Sequence, residues 1–161
     1  MIVVADTSVI LNLCRVQHEH LLQQLFKRVL FPAEVAREFT RLPKIQKRFL
    51  GMVLPNWIEI ASAPQAFPPE VVRAQLDTGE AAAITLCLNQ KADLLLIDEV
   101  AGREVATRLG VRTVEILGML VDARNQKLIS DVKSLLDRLE REAGFWISLN
   151  LRRHVLQLTG E

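Results

Sequence analysis

Two aspartates in this chain of 161 residues each follow a short run of apolar residues: Asp6 comes after Ile2-Val3-Val4-Ala5, and Asp98 after Leu94-Leu95-Leu96-Ile97. Such runs read as strands buried on both faces, as in a parallel sheet. Ligands of open parallel sheets gather beyond the carboxyl ends of the strands, where strand order reverses. If these two strands are neighbours at the sheet centre, their carboxylates approach each other. Two unit charges ~5 Å apart repel by roughly 3 kcal/mol at an effective dielectric of ~20, so something positive would have to sit between them. His18 and His20 lie in a polar stretch and His154 follows two arginines, so no histidine cluster offers itself for that role. Hard oxygen donors without nitrogen or sulfur point to Mg2+ or Mn2+.

Each acid also has a purely structural reading. Asp98 could cap the helix that follows it, and Asp77 with Glu80 three residues on resembles a capping box. Glu34 and Glu38 share a helix face at i, i+4, near a start where acids complement the macrodipole. Spacing alone does not choose between these readings and chemistry.

The elements that must position these acids follow from periodicity. Ile2 to Ala5 predicts a first strand, and Ser8 reads as the cap of a helix whose apolar positions run on through Leu25 and Phe26, as one helix or as two in succession. Val29-Leu30-Phe31 predicts a second strand. Pro32 suits the first turn of a helix carrying Val35, Ala36 and Phe39 on one stripe, with Pro43 expected to end it. Lys44 to Met52 reads as a short basic helix, Trp57 to Ala61 as a strand, and Ser62 to Pro69 as a proline-marked loop, with helix resuming from Pro69. Helix over Ala81 to Leu88, strand over Leu94 to Ile97, helix over Glu99 to Leu109 stopped by Gly110, and strand over Arg112 to Ile116 form a βαβ unit. Helices beginning near Leu117, at a Ser130 cap and at a Ser148 cap complete the chain. The fold class expected is α/β: three layers, with a central, mainly parallel sheet of about five strands flanked by helices. A single domain over 1–161, helical from about 117, is expected.

Composition narrows the function classes. Half the residues are hydrophobic and a quarter are charged, with seven glycines and six prolines, which excludes disorder and fibrous repeats. No apolar run approaches the ~20 residues of a membrane-spanning helix. Met1 leads straight into the first strand without a basic n-region, which predicts a cytoplasmic address. Cys14 and Cys87 sit in helix-like apolar patterns and read as buried free thiols. Twenty bases against nineteen acids give a net charge of +1, so any argument for a nucleic-acid partner must be local. Arg41, Lys44, Lys47 and Arg48 offer one such cluster, with no acid among residues 39 to 52; the plain alternative is a solvated helix face. Arg103 reads either as a phosphate contact or as the partner of a nearby acid. Trp57 and Trp146 read as packing elements.

Four segments in order, Ile2-Val3-Val4-Ala5-Asp6-Thr7-Ser8, Phe31-Pro32-Ala33-Glu34-Val35-Ala36-Arg37-Glu38, Thr78-Gly79-Glu80-Ala81-Ala82-Ala83-Ile84 and Leu95-Leu96-Ile97-Asp98-Glu99-Val100-Ala101-Gly102-Arg103, together resemble the PIN-domain ribonucleases. Ala143-Gly144-Phe145-Trp146-Ile147-Ser148 is similar to the small stand-alone prokaryotic group close to VapC-type toxins. The resemblance implies a metal-dependent endoribonuclease using Mg2+ or Mn2+, with Asp6, Glu38, Glu80 and Asp98 as the metal-ligating, catalytic acids and Ser8 as a supporting hydroxyl. Many PIN toxins carry Asp at the third position where this chain has Glu80, so Asp77 and Glu99 stand as substitutes. Arg41, Lys44 and Arg103 are the candidate phosphate contacts. RNA as substrate, an antitoxin protein as partner and a homodimer are further implications. A non-catalytic PIN-like module that binds RNA or protein is the main rival. A haloacid dehalogenase-type phosphohydrolase would need Asp where Ser8 stands, and a receiver-like domain would need a lysine near the last strand that is not there.

Overall fold

The computed structural model describes residues 1–62 and 66–161; of the expected loop over Ser62 to Pro69, residues 63–65 lie outside the described residues. Five strands form one sheet: β1 (Ile2–Ala5), β2 (Arg28–Pro32), β3 (Glu59–Ala61), β4 (Leu94–Leu96) and β5 (Thr113–Val114). All neighbouring pairs are parallel and the order is β3-β2-β1-β4-β5. The chain lays β2 and β3 outward on one side of β1, then returns to place β4 and β5 on the other. The switch point therefore falls between β1 and β4, where Val3, Val4 and Ala5 pair with Leu94, Leu95 and Leu96.

Period-two alternation sorts the strand side chains into two cores. Val3, Ala5, Val29, Phe31, Leu94 and Leu96 face one helical layer, and Val4, Leu30, Leu95 and Ile97 face the other. The first layer contains α1 (Thr7–Arg15), α2 (His20–Leu25), α3 (Ala33–Ile45), α7 (Ile116–Asn125), α8 (Val132–Ala143) and α9 (Leu149–Thr159). The second contains α4 (Pro69–Arg73), α5 (Thr78–Asn89) and α6 (Val100–Arg108). Burial on both faces explains why β1 and β4 are unbroken apolar runs. Helix α5 presents small Ala81, Ala82 and Ala83 to the interior, all buried, which lets it lie close against the sheet. Cys14 and Cys87 are buried free thiols, as expected. Among the described residues, no helix is long and apolar enough to cross a membrane.

Several boundaries differ from the sequence reading. Helix α1 starts at Thr7, with Asp6 rather than Ser8 at the N-cap. Pro32 closes β2 instead of entering the helix. Pro43 does not stop α3 at once: its ring is buried in the last turn, where few hydrogen bonds remain to be lost, and the helix ends two residues later at Ile45. The expected basic helix over 44 to 52 is only one 3-10 turn, Lys47–Phe49. The α8 cap is Asp131, whose carboxylate accepts from Ser134 N–H at 2.9 Å, not Ser130. Ser148 does cap α9, accepting from Leu151 N–H at 3.1 Å. Strand β5 ends at Val114, which leaves Glu115 beyond its carboxyl end.

Candidate active site

A cleft of about 770 Å³ opens over the carboxyl ends of β1 and β4 and is bounded by α1, α3, α5, α6 and the segment between α8 and α9. Asp6, Glu38, Glu80 and Asp98 all line it, as do Asp77 and Glu99. Glu115 is a seventh acid there, and Arg48 and Arg103 are the two cations among the described lining residues.

Asp6 leaves the end of β1, where its N–H donates to Leu96 C=O at 3.0 Å across the switch point. Its side chain is buried and Oδ1 has no hydrogen-bond partner. Burial pushes its pKa up to about 8, with Asp77, Glu80 and Glu38 adding repulsion, while a hydrogen bond from Thr7 N–H works the other way.

Glu38 reaches the cleft from α3 and is the most constrained of the acids. Its Oε2 accepts from Thr7 Oγ1 at 2.8 Å and its Oε1 from Gly79 N–H at 3.0 Å. One carboxylate thus joins the first turns of two helices from opposite layers, where exposed N–H dipoles favour negative charge. The approach depends on Gly79, because a β-carbon there would stand 2.7 Å from Oε2.

Glu80 follows on α5. Asp77 caps that helix, accepting from Glu80 N–H at 2.8 Å, so the capping half of the Asp77/Glu80 pattern is present. The Glu80 carboxyl points toward α6, 3.6 Å from where a β-carbon on Gly102 would stand. Burial raises its pKa to about 7, helped by Asp77 and Glu99. Asp98 does act as a cap, but of α7 instead of the next helix in sequence: Oδ1 accepts from Ile116 N–H at 2.9 Å. Its Oδ2 is buried without a partner, and burial raises its pKa to about 6.

The donor set, carboxylates and hydroxyls, suits a hard divalent cation, and the orphaned Asp6 Oδ1, Asp98 Oδ2 and Ser8 Oγ are the buried oxygens such an ion would satisfy. The acids share a cleft, yet among the described residues no three Asp, Glu, His or Cys side chains stand close enough to form a ready metal cage. Part of the acid set is engaged in hydrogen bonds: Glu38 is committed to Thr7 and Gly79, and one oxygen of Asp98 to Ile116.

Other expected residues fall elsewhere. Ser8 lines the cleft but makes no hydrogen bond, so no support of Asp6 is present in this arrangement. Arg41 and Lys44 lie with Arg37 on a separate shallow depression. Helical phase separates them from the cleft, since Leu42 follows Glu38 onto the cleft face while positions 41 and 44 turn away. Arg103 is in the cleft, but it pairs with Glu115 and donates to Asp98 C=O at 3.2 Å. Glu34 pairs with Arg37 at 3.3 Å, outside the cleft lining. Trp57 is partly buried against the core, whereas Trp146 is 82% exposed and lines the cleft, contrary to its expected packing role. Thr7, Asn12 and Glu115 were not singled out by the sequence. Glu115 was findable by the rule that selected Asp6 and Asp98, had β5 been ended two residues earlier.

A family model described as a PIN domain matches residues 2–161. The chain belongs to the PIN-domain family. No curated protein matches it significantly. PIN domains are generally nucleases and typically use divalent metals, so this chain has a nuclease-type fold with its acid cleft at the sheet's switch point.

Proposed function

We propose that this PIN domain is a metal-dependent endoribonuclease that hydrolyses RNA phosphodiester bonds in the acid cleft. The observation that carries the reading is the pair of buried, unpartnered carboxylate oxygens, Asp6 Oδ1 and Asp98 Oδ2, just beyond the carboxyl ends of the two strands that flank the switch point. Leaving such oxygens unpaired costs folding free energy, which a bound cation would return.

Asp6, Glu38, Glu80 and Asp98 are the residues that would hold Mg2+ or Mn2+. Such an ion supplies Lewis-acid stabilisation of charge on phosphoryl and leaving oxygens, and a lower pKa for water. The chain's carboxylates orient the attacking water, and Glu80 is suited to accept its proton at the carboxylate. Of the two cations on the cleft lining, Arg103 is paired with Glu115, and Arg48, without an ion pair among the described residues, is the one available to a phosphate backbone. With water as nucleophile the 2′-hydroxyl is not chemically required, so preference for RNA rests on family resemblance.

One observation favours the rival reading of a non-catalytic binding module: Glu38 is already spent on Thr7 and Gly79. Calorimetric titration with Mn2+ alongside an RNA-cleavage assay separates the two. Binding with Mn2+-dependent cleavage that Asp6→Asn abolishes supports the nuclease; undiminished cleavage by folded Asp6→Asn rejects the assignment. A toxin role, with an antitoxin as partner and a homodimer as the working unit, belongs to the same proposal. Growth arrest on expression, relieved by a neighbouring gene product, tests it.

A further inference from the structure

Trp146 is 82% exposed although neighbouring Ile147 is only 6% exposed. The segment between α8 and α9 alternates: Phe145 packs against the core, Trp146 turns out, and Ile147 turns in. Both ends are pinned. Gly144 ends α8 in the left-handed conformation at φ +69°, and Phe145 N–H donates to Leu139 C=O at 3.0 Å. Ser148 caps α9. The indole is therefore held outward by anchored neighbours, on the wall of the same cleft as Asp6 and Asp98.

A cation accompanies it. The Arg48 guanidinium lies against Gly144, with Nη1 2.7 Å from where a β-carbon would stand. Arg48 makes no ion pair among the described residues; it sits over the Phe49 ring at 5.1 Å. An outward aromatic face on the same cleft as a guanidinium free of ion pairs among the described residues is a combination that grips single-stranded nucleic acid, one group stacking on a base and the other meeting phosphate.

We propose that Trp146 is a base-stacking platform that, with Arg48, seats one nucleotide of a single strand at the mouth of the cleft, so that the adjoining backbone reaches the carboxylates. This rests on the nuclease reading and deepens it. A protein partner on the same indole is the competing occupant; the Arg48 guanidinium on the same cleft lining, without an ion pair among the described residues, favours a phosphate-bearing strand over an apolar segment.

The test titrates a short single-stranded RNA, with Mg2+, into Asp6→Asn protein with and without Trp146→Ala, reading indole fluorescence and anisotropy. RNA is expected to quench emission through Trp146, while the signal of Trp57 stays unchanged in Trp146→Ala. Affinity should fall about 5- to 150-fold in Trp146→Ala, the range that one base–aromatic stack carries, and much less in Trp146→Phe. An RNA with one abasic nucleotide should reproduce that loss and show no further loss with Trp146→Ala. Equal RNA affinity and equal cleavage, with or without Trp146→Ala in the otherwise unaltered chain, would overturn the platform and leave the nuclease standing. Quenching through Trp146 without cleavage by the unaltered protein would keep the platform and remove the nuclease. RNA that is neither bound nor cleaved overturns both, whereas an indole that responds only to a second protein overturns the platform alone.

Discussion

The backbone N–H of Gly79 donates to Glu38 Oε1 at 3.0 Å, and a β-carbon on Gly79 would stand 2.7 Å from Glu38 Oε2. Gly79→Ala should therefore push Glu38 aside. Alanine's advantage over glycine, about 1 kcal/mol in a helix interior, is smaller at this second position of α5, and the displaced carboxylate offsets it. The expected outcome is a melting temperature within a few degrees of the parent, with RNA cleavage down at least about tenfold. Unchanged turnover would show that Glu38 can leave its seat without cost.

Thr7 holds the other oxygen of the same carboxylate, at 2.8 Å. Thr7→Val keeps the shape and removes the donor, so it should cost roughly 1.5–3 kcal/mol, the range for a hydrogen bond to a charged group. Thr7→Ser should restore most of that stability and of the activity. Denaturant unfolding of both variants, read beside cleavage rates, checks the pair.

Asp98 carries a structural and a proposed chemical role on different oxygens. Asp98→Asn can still accept from Ile116 N–H through its amide oxygen, while Asp98→Ala loses the α7 cap as well. Both should lose cleavage, and only the alanine variant should lose about 1 kcal/mol more from the missing cap. Cleavage by Asp98→Asn at the parent rate would reduce Asp98 to a cap.

Three cleft acids have pKa values raised by burial: Asp6 to about 8, Glu80 to about 7 and Asp98 to about 6. The folded state then binds their protons more tightly than the unfolded chain does. Their contribution to stability is full below the ordinary carboxylate range and is lost as pH rises through 6 to 8. The melting temperature of chelator-treated protein should accordingly fall between about pH 5 and pH 8. Asp6→Asn should flatten that fall and melt roughly 3–8 °C above the parent at the upper end. Mn2+ should stabilise the unaltered protein, and more so at pH 8 than at pH 5, because only ionised carboxylates bind it. A melting temperature that rises with pH in chelator would contradict this.

How much of this was legible in sequence follows from the range of each interaction. Strands β1 and β4 announce themselves because burial on both faces demands unbroken apolar residues, which puts Asp6 and Asp98 each just past a strand end; that the two strands adjoin is set by the sheet pairing. The reach of Glu38 to Thr7 and Gly79 spans 31 and 41 residues, and no local pattern encodes it. Arg41 and Lys44 looked close to the acids in sequence, but helical phase sets them on another surface, while Arg48, beyond the helix end, comes round to the cleft. Trp146 was misread because large aromatics usually pack; its outward placement is set by the two neighbours that turn inward.

Seven of the nineteen acids but only two of the twenty bases line the cleft, so the rest of this nearly neutral chain carries eighteen cations against twelve anions. Acids are thus gathered in the cleft, and the excess of bases is spread over the rest of the chain. A polyanion drifting toward it is drawn to the outside, and its backbone passes inward only where cations offset the acids. Admission then depends on counterions that mask the hole, which makes the surrounding electrolyte a gatekeeper for whatever strand the exterior has gathered.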